Sequence, residues 1–137
     1  MFEQQDDILA KIVALAQSDA SVAAVWLYGS RAEGRSRAES DYDIAVAFQK
    51  SLANDADRCL RPQLLASEWR RKTGLAEPHL SIVDINRVPI PLAVNIIEAN
   101  RLLFSRDDLR VVREQNRIWG LWSDILWHQS ARQPNLP

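Results

Sequence analysis

Apolar residues recur along the chain with two different spacings, and the spacing changes at polar or glycine-containing breaks. Over residues 6–18 they fall on one face of a helix, and Asp6 is placed to cap its start. The segment from Val22 to Tyr28 is short, continuously apolar and followed by Gly29, which is typical of a buried strand. From Asp41 to Phe48 carboxylates alternate with apolar residues, and this predicts a second strand.

The rest of the chain predicts alternating helices and strands, separated by turn residues. Residues 30–40 are polar and predict a short helical turn followed by an exposed loop. The further predicted elements are a helix from Asn54 or Asp55 to about Lys72 that ends at Gly74, a strand from Leu80 to Ile85, a helix that begins near Pro89 and Pro91 and ends at Asn100, a short strand from Arg101 to Phe104, and a last helix capped by Asp107.

This order predicts an α/β (α+β) fold in which a small mixed sheet of about four strands is flanked by helices, the C-terminal one long. In that last helix Leu109, Val112, Trp119, Trp122 and Leu126 follow one apolar stripe. The length suits one hydrophobic core, so we expect a single domain over residues 1–130 and a flexible tail over residues 131–137.

Composition narrows the function classes. The 137 residues carry a formal net charge of -1, so the chain as a whole has no electrostatic reason to coat nucleic acid or an anionic membrane. No segment approaches the ~20 apolar residues that span a bilayer. Cys59 is the only cysteine and suits a reducing compartment. We therefore expect a soluble cytoplasmic protein that binds neither membranes nor nucleic acid directly.

The candidate chemistry lies at the junction of the first two strands. Gly29 and Ser30 directly follow a buried strand, where a residue without Cβ lets the backbone approach a phosphate and a hydroxyl can donate to its oxygens. After ten further residues come Asp41 and Asp43, which point to the same face of a strand with origins ~7 Å apart. Two carboxylates at this spacing can hold Mg²⁺ together with substrate phosphates.

Taken separately, the glycine and serine form an ordinary turn and the aspartates merely begin a strand. Together, four specified residues at this spacing match by chance in roughly one or two chains per thousand of this length. Aspartate is also depleted in strands, so two on one face favour a functional role.

These residues resemble a known family. The stretches Gly29-Ser30-Arg31-Ala32-Glu33-Gly34 and Ser40-Asp41-Tyr42-Asp43 are similar to the minimal nucleotidyltransferases of the polymerase-beta superfamily, and in particular to the MntA-type antitoxins of HEPN/MNT toxin-antitoxin pairs. The stretches Val83-Asp84-Ile85-Asn86 and Pro89-Ile90-Pro91-Leu92 resemble the third strand of that family and the helix after it.

The resemblance implies a polymerase-beta-like fold and a site for ATP and Mg²⁺. It implies catalytic, metal-binding aspartates at Asp41 and Asp43 and contacts to the triphosphate from Gly29, Ser30 and Arg31. It further implies transfer of AMP to a tyrosine of a cognate HEPN ribonuclease toxin of the HepT type, which is thereby neutralised. A hetero-oligomer with that toxin is then expected.

One position departs from the family pattern. Many relatives carry a third carboxylate where this chain has Ser81. Asp84 is the alternative third metal ligand, but three residues further along a strand its side chain emerges on the opposite face, so a strand-end role is also open.

Several secondary features have two interpretations each. Arg35 and Arg37 either contact phosphates or belong to a solvated loop. His79 and His128 lack further ligands at zinc-binding spacing and are interpreted as surface or boundary residues. Trp119, Trp122 and Trp127 either belong to the core or form part of a face that docks a partner.

Three functional hypotheses remain open at this point. The first is an antitoxin enzyme that adenylylates its toxin. The second is an antitoxin with little or no catalysis that neutralises by binding alone. The third is an aminoglycoside-type nucleotidyltransferase that modifies a small molecule.

Overall fold

A computed structural model of the chain describes residues 2–34 and 41–131, with side chains from Asp7 onwards. The helices are α1 (Phe2–Ser18), α2 (Gly29–Ala32), α3 (Asp55–Thr73), α4 (Ile90–Ala99) and α5 (Asp108–Ala131), and the strands are β1 (Val22–Tyr28), β2 (Tyr42–Phe48), β3 (Leu80–Asp84) and β4 (Leu102–Ser105). A single 3-10 turn, Glu77–His79, precedes β3. None of the helices in the described ranges combines the length and the apolar character of a transmembrane span.

The four strands form one mixed sheet in the order β3-β2-β1-β4. β1 pairs antiparallel with both β2 and β4, whereas β2 and β3 are parallel and are joined by α3. The two central strands are buried almost throughout because helices cover both faces of the sheet. The predicted fold class is thereby confirmed.

Each face of the sheet has its own core. On one face Ile12 of α1 and Trp69 of α3 pack against Leu27 and Ile44, and all four side chains are buried. On the other face residues of α4 and α5, among them Ile96 and Ile118, pack against Trp26 and Ala45. Successive residues of β1 and β2 therefore contribute to opposite cores, as the alternation of a strand requires.

The helix ends agree with most of the predicted signals. Asn54 caps α3 by accepting a hydrogen bond from the Asp57 amide at 3.2 Å, and Gly74 ends that helix in the left-handed conformation. The Asp107 carboxylate accepts from the Arg110 amide at 3.2 Å at the start of α5. The predicted cap at Asp6 is wrong, because α1 already begins at Phe2.

Most of the predicted apolar stripe of α5 does not face the core. Val111, Glu114 and Ile118 face the core, whereas the predicted stripe is largely exposed: Leu109 by 57%, Val112 by 48%, Trp119 by 41% and Leu126 by 45%. Of the predicted residues only Trp122 packs against the core. The helix carries two adjacent apolar stripes about 100° apart, and periodicity alone does not tell which one faces the sheet. α5 also extends through Ala131, the first residue of the predicted tail, and the remainder of that tail lies outside the described residues.

Candidate active site

A glycine turn brings the first half of the sequence motif next to the second. Gly29 follows the last residue of β1, opens α2 and has a φ of 73°. A Cβ at this position would collide with the Asp43 carboxylate, since it would lie 3.2 Å from Cγ and closer still to Oδ2. Glycine is therefore required twice at position 29, by its backbone angle and by its neighbour.

The two aspartates begin β2. Asp43 lies on the strand opposite Tyr28 in the antiparallel register, and Asp41 comes immediately before the strand. Because they are two residues apart, both side chains belong to the face that α4 and α5 cover, while Tyr42 between them packs into the other core. Asp41 is exposed and Asp43 is half-buried.

Residues before and within β3 hold the two carboxylates in place. The Ser81 hydroxyl donates to Asp43 Oδ1 at 3.0 Å, and His79 Nδ1 lies 3.1 Å from Asp41 Oδ1. Both contacts follow from the parallel register, which aligns Tyr42 with Leu80 and Asp43 with Ser81. Ser81 of β3 and His79 just before it thus supply hydrogen-bonding partners for Asp43 and Asp41.

The site favours groups that are neutral or bound to a cation. Burial raises the pKa of Asp43, the hydrogen bond from Ser81 opposes this, and the neighbouring charge of Asp41 raises the pKa further. Burial and the charge of Asp43 together raise the pKa of the Tyr28 phenol to about 12, against a smaller lowering by Ser81. Negative charge at this end of the sheet is thus costly without a positive ligand.

The donor set fits a magnesium ion that also receives ligands from a substrate. Among the described residues no three His, Cys, Asp or Glu side chains converge as a complete metal site. Asp41 and Asp43 offer carboxylate oxygens, and Mg²⁺ is usually held by one or two carboxylates plus substrate phosphates. The raised pKa of Asp43 is the sign expected of a carboxylate that a cation would stabilise in its charged form.

Arg31 does not lie beside the carboxylates. Its guanidinium is buried and stacks 3.9 Å from the centroid of the Tyr42 ring, on the face of β2 opposite to Asp41 and Asp43. This stacking holds α2 against β2, and the contact of Arg31 with the triphosphate stays a prediction. Ser30 follows Gly29 in α2, as the motif predicts. Arg35 and Arg37 lie outside the described residues.

Asp84 lies at the opposite end of the sheet. It pairs with Val46, whereas Asp43 pairs with Ser81, so about 10 Å of strand separates the two positions. One of its oxygens accepts the Asn86 amide at 2.9 Å, and burial raises its pKa. The prediction of Asp84 as a third metal ligand is thus corrected: its side chain ends β3 in a turn and is too distant to share an ion with Asp43.

Sequence reasoning missed His79 and Tyr28. His79 was expected to be an ordinary surface or boundary residue, but it contacts Asp41. A parallel pairing of the second and third strands in the observed register would have predicted this contact, since it places the residue before Leu80 opposite the residue before Tyr42. In the same way, the antiparallel register of β1 and β2 would have predicted that Tyr28 lies beside Asp43.

The chain is similar to known proteins both in its sequence profile and in its fold. The family profile described as polymerase beta, nucleotidyltransferase, matches residues 10–109. No curated protein sequence matches the chain.

Among solved structures the chain is similar to one in a toxin-antitoxin complex with AMP-PNP (17% identity, TM-score 0.68, 90% of this chain and 93% of that chain). It is also similar to a chain in an MntA-HepT complex (16% identity, TM-score 0.64, 90% of this chain and 92% of that chain). A third match is a chain from a complex of the tri-AMPylated Shewanella oneidensis HEPN toxin with MNT antitoxin (16% identity, TM-score 0.63, 93% of this chain and 93% of that chain). At these identities the likeness shows a shared fold.

Proposed function

The chain belongs to the polymerase-beta nucleotidyltransferase family, and from that premise we propose that it is an antitoxin that transfers AMP from ATP to a tyrosine of a HEPN ribonuclease toxin. One observation carries the proposal: Gly29 leaves room for Asp43 directly beside the turn that follows β1. Nucleotidyl transfer needs this arrangement, in which a phosphate-approaching turn faces a pair of metal-binding carboxylates.

Each residue of the site has a distinct role in the proposed reaction. Asp41 and Asp43 hold magnesium, which when bound neutralises the phosphates of ATP and the departing pyrophosphate. Gly29 and Ser30 form the backbone wall against which the triphosphate lies. The hydrogen bonds from Ser81 and His79 fix the orientation of the two carboxylates before the nucleotide arrives.

The acceptor is proposed to come from a docked protein. The fold is shared with chains crystallised in complexes between toxins and antitoxins, one of which holds a tri-AMPylated HEPN toxin. The exposed apolar stripe of α5 supports a partner on this chain as well, because Trp119 is 41% exposed and Trp127 is 71% exposed. Exposed tryptophans are enriched at the energetic centres of protein interfaces.

The transfer experiment uses ATP labelled at the α-phosphate, magnesium and the HEPN protein proposed as the cognate toxin. We expect label on the toxin, and at least about a 100-fold loss of transfer in the Asp41→Asn/Asp43→Asn variant, because two metal ligands are lost. Asp84→Asn is the matched control: it removes a carboxylate from the same sheet but at the opposite end, and we expect it to retain transfer.

A second candidate is an antitoxin that acts by binding alone, and Ser81 in place of a third carboxylate favours it. Inhibition of the toxin with no label transferred, and equal inhibition by the Asp41→Asn/Asp43→Asn variant, would establish this alternative and exclude the enzymatic one.

The proposed docking face is tested separately by complex formation. The Trp127→Ser variant should weaken binding to the HEPN protein at least about tenfold while it leaves thermal stability nearly unchanged, because this side chain is 71% exposed. Leu64→Ser on α3 is the control, since Leu64 is 66% exposed on a different surface. Equal affinity of all three proteins for the toxin would place the interface elsewhere.

A further inference from the structure

A polar cavity lies at the end of the sheet opposite to the aspartate pair. It has a volume of about 470 Å³ and opens where β2 and β3, which are parallel, both end. We call it the basic pocket, because its charged lining consists of Lys50, Arg58, Arg61, Arg87, Arg110 and, as the only acid, Asp84. In open, mostly parallel α/β sheets, ligands often bind outside the carboxyl ends of the strands, and this pocket lies at the carboxyl ends of the parallel pair β2 and β3.

The pocket concentrates positive charge in a chain that is close to neutral. Its lining has a formal excess of four positive charges, whereas the whole chain has a net charge of -1. Two carboxylates behind the lining pair with its arginines: Asp55 contacts Arg58 and Arg87, and Glu114 contacts Arg110. With these two counted, an excess of two positive charges remains. An anion would therefore be attracted to this cavity.

Two of the arginines are held rigidly by the fold. Arg110 donates to Glu114, to the Phe48 carbonyl and to Asn86, each at 2.9 Å. Arg61 donates to the Lys50 carbonyl at 2.6 Å and stacks 4.1 Å from the centroid of the Phe48 ring. These contacts orient the pocket wall before any ligand binds, which reduces the entropy lost on binding.

Arg58 has donor capacity that the fold does not use. Its guanidinium pairs with Asp55 through one terminal nitrogen at 3.5 Å, but its Nε is buried and has no acceptor among the residues that the structure describes. Buried donors in folded proteins are nearly always paired. The pairing with Asp55 uses one terminal nitrogen, so the other terminal nitrogen of Arg58 can donate to an oxyanion in the pocket.

From these observations we infer that the basic pocket binds the phosphate group of a small molecule. Guanidinium groups match the geometry of phosphate oxygens and can donate two hydrogen bonds at once. The volume lies within the range of small-ligand sites. Asp84 offers an acceptor for a hydroxyl or amino group next to that phosphate, as in a nucleotide. The inference does not depend on the proposed catalytic function, because none of the pocket residues belongs to the aspartate pair.

The test follows backbone amide resonances of the full chain during titration with inorganic pyrophosphate or with AMP. EDTA is present throughout, so that the aspartate pair holds no divalent cation. We expect saturable shifts at Ser51 and Asn86 and none at Gly29. A tighter constant for AMP identifies a nucleotide ligand, and a tighter constant for pyrophosphate identifies a simpler phosphate; both outcomes support the site.

Variants distinguish a built site from general charge attraction. Arg58→Gln/Arg61→Gln should raise the dissociation constant at least about tenfold, and Asp84→Asn should lower it. Arg71→Gln is the matched control, since Arg71 is an exposed arginine of the same helix outside the pocket, and it should leave the constant unchanged. If the double variant does not fold, Lys50→Gln serves in its place, because Arg61 contacts the backbone carbonyl of Lys50, which this substitution keeps.

Three results would overturn the inference. The first is the absence of saturable shifts with either probe. The second is equal weakening by Arg71→Gln and by the pocket variant, which would mean nonspecific attraction. The third is binding of a single-stranded oligonucleotide to the same amides at least about tenfold more tightly than either small probe, which would make the pocket part of a nucleic-acid surface.

Discussion

At the scale of single residues, the site depends on close approach between one backbone segment and one carboxylate. Gly29 has a positive φ and lies within contact distance of Asp43, whose pKa is raised by burial and by the charge of Asp41. The phenol of Tyr28 completes this cluster at the end of β1. A substitution at Gly29 or Asp43 therefore affects both the packing and the charge at this end of the sheet.

Replacing Gly29 by alanine should cost more stability than the backbone angle alone explains. Gly74 is the matched control, because it has a similar φ of 79° but open space where a Cβ would be, whereas a Cβ at Gly29 would collide with Asp43. We expect Gly74→Ala to lower the free energy of unfolding by about 1 kcal/mol and Gly29→Ala by about 2–3 kcal/mol. Urea denaturation measures both, and equal losses would mean that Asp43 does not lie beside Gly29.

The ionisation of Tyr28 reports the position of the Asp43 carboxylate. The chain has two tyrosines, so the Tyr42→Phe variant leaves one phenol to follow by ultraviolet absorbance. We expect its pKa to be about 12, and to fall in the Asp43→Asn variant because one of its causes is removed. Since the folded value is raised above 10.0, the stability that Tyr28 contributes is complete below pH 10.0 and is lost as pH rises through about 12. An unchanged midpoint in Asp43→Asn would contradict the contact.

Several residues of the site can be predicted from the sequence, and others cannot. The spacing of Gly29, Asp41 and Asp43 is a local property, and the structure brings Gly29 and Asp43 together as the spacing predicts. The position of His79 beside Asp41 depends on the register between β2 and β3, and the position of Arg31 depends on how α2 packs against Tyr42. The sequence of one element contains neither the strand register nor the helix packing.

At the scale of elements, strands were easier to predict than the orientation of the long helix. The bounds of β1 match the prediction because a short apolar segment between two polar breaks has few alternatives. In α5 the buried side carries Glu114, a charged residue that sequence reasoning assigns to solvent. The helix accommodates it through hydrogen bonds from Asn86, Arg110 and Arg117 at 2.9–3.0 Å.

Glu114 should contribute stability that disappears in acid. Burial acts to raise its pKa, but the hydrogen bonds from Asn86, Arg110 and Arg117 outweigh this and lower the pKa below the usual value. Its contribution is therefore complete above the pKa of an unfolded glutamate and is lost as pH falls through the lowered value. We expect Glu114→Gln to lower the free energy of unfolding by about 2 kcal/mol near pH 7 and by much less near pH 3.

The control for this prediction is Glu98→Gln, because Glu98 is an exposed acid of α4. It should leave the thermal midpoint nearly unchanged at both pH values. A Glu114→Gln deficit that is equally large in acid would show that packing, rather than the charge of Glu114, holds α5 in place.

At the scale of the whole molecule, an acidic pair and a basic pocket lie at opposite ends of one sheet. Asp41 and Asp43 lie at the start of β2, and the basic pocket opens where β2 and β3 end. The net charge of -1 conceals this division, because acidic and basic residues are mixed along the sequence and are separated only by the fold. The absence of a basic surplus excludes a uniformly charged surface, but it does not exclude a local anion site.

The most direct test of the proposed active site is the position of a bound divalent cation. Mn²⁺ added together with a non-hydrolysable ATP analogue broadens the amide resonances of residues close to it. We expect broadening at Gly29, Asp43 and Ser81, its loss in the Asp41→Asn/Asp43→Asn variant, and its retention in Asp84→Asn. Broadening at Asp84 and Asn86 with none at Gly29, or broadening that persists at Gly29 without the two aspartates, would contradict a nucleotidyltransferase site at the start of β2.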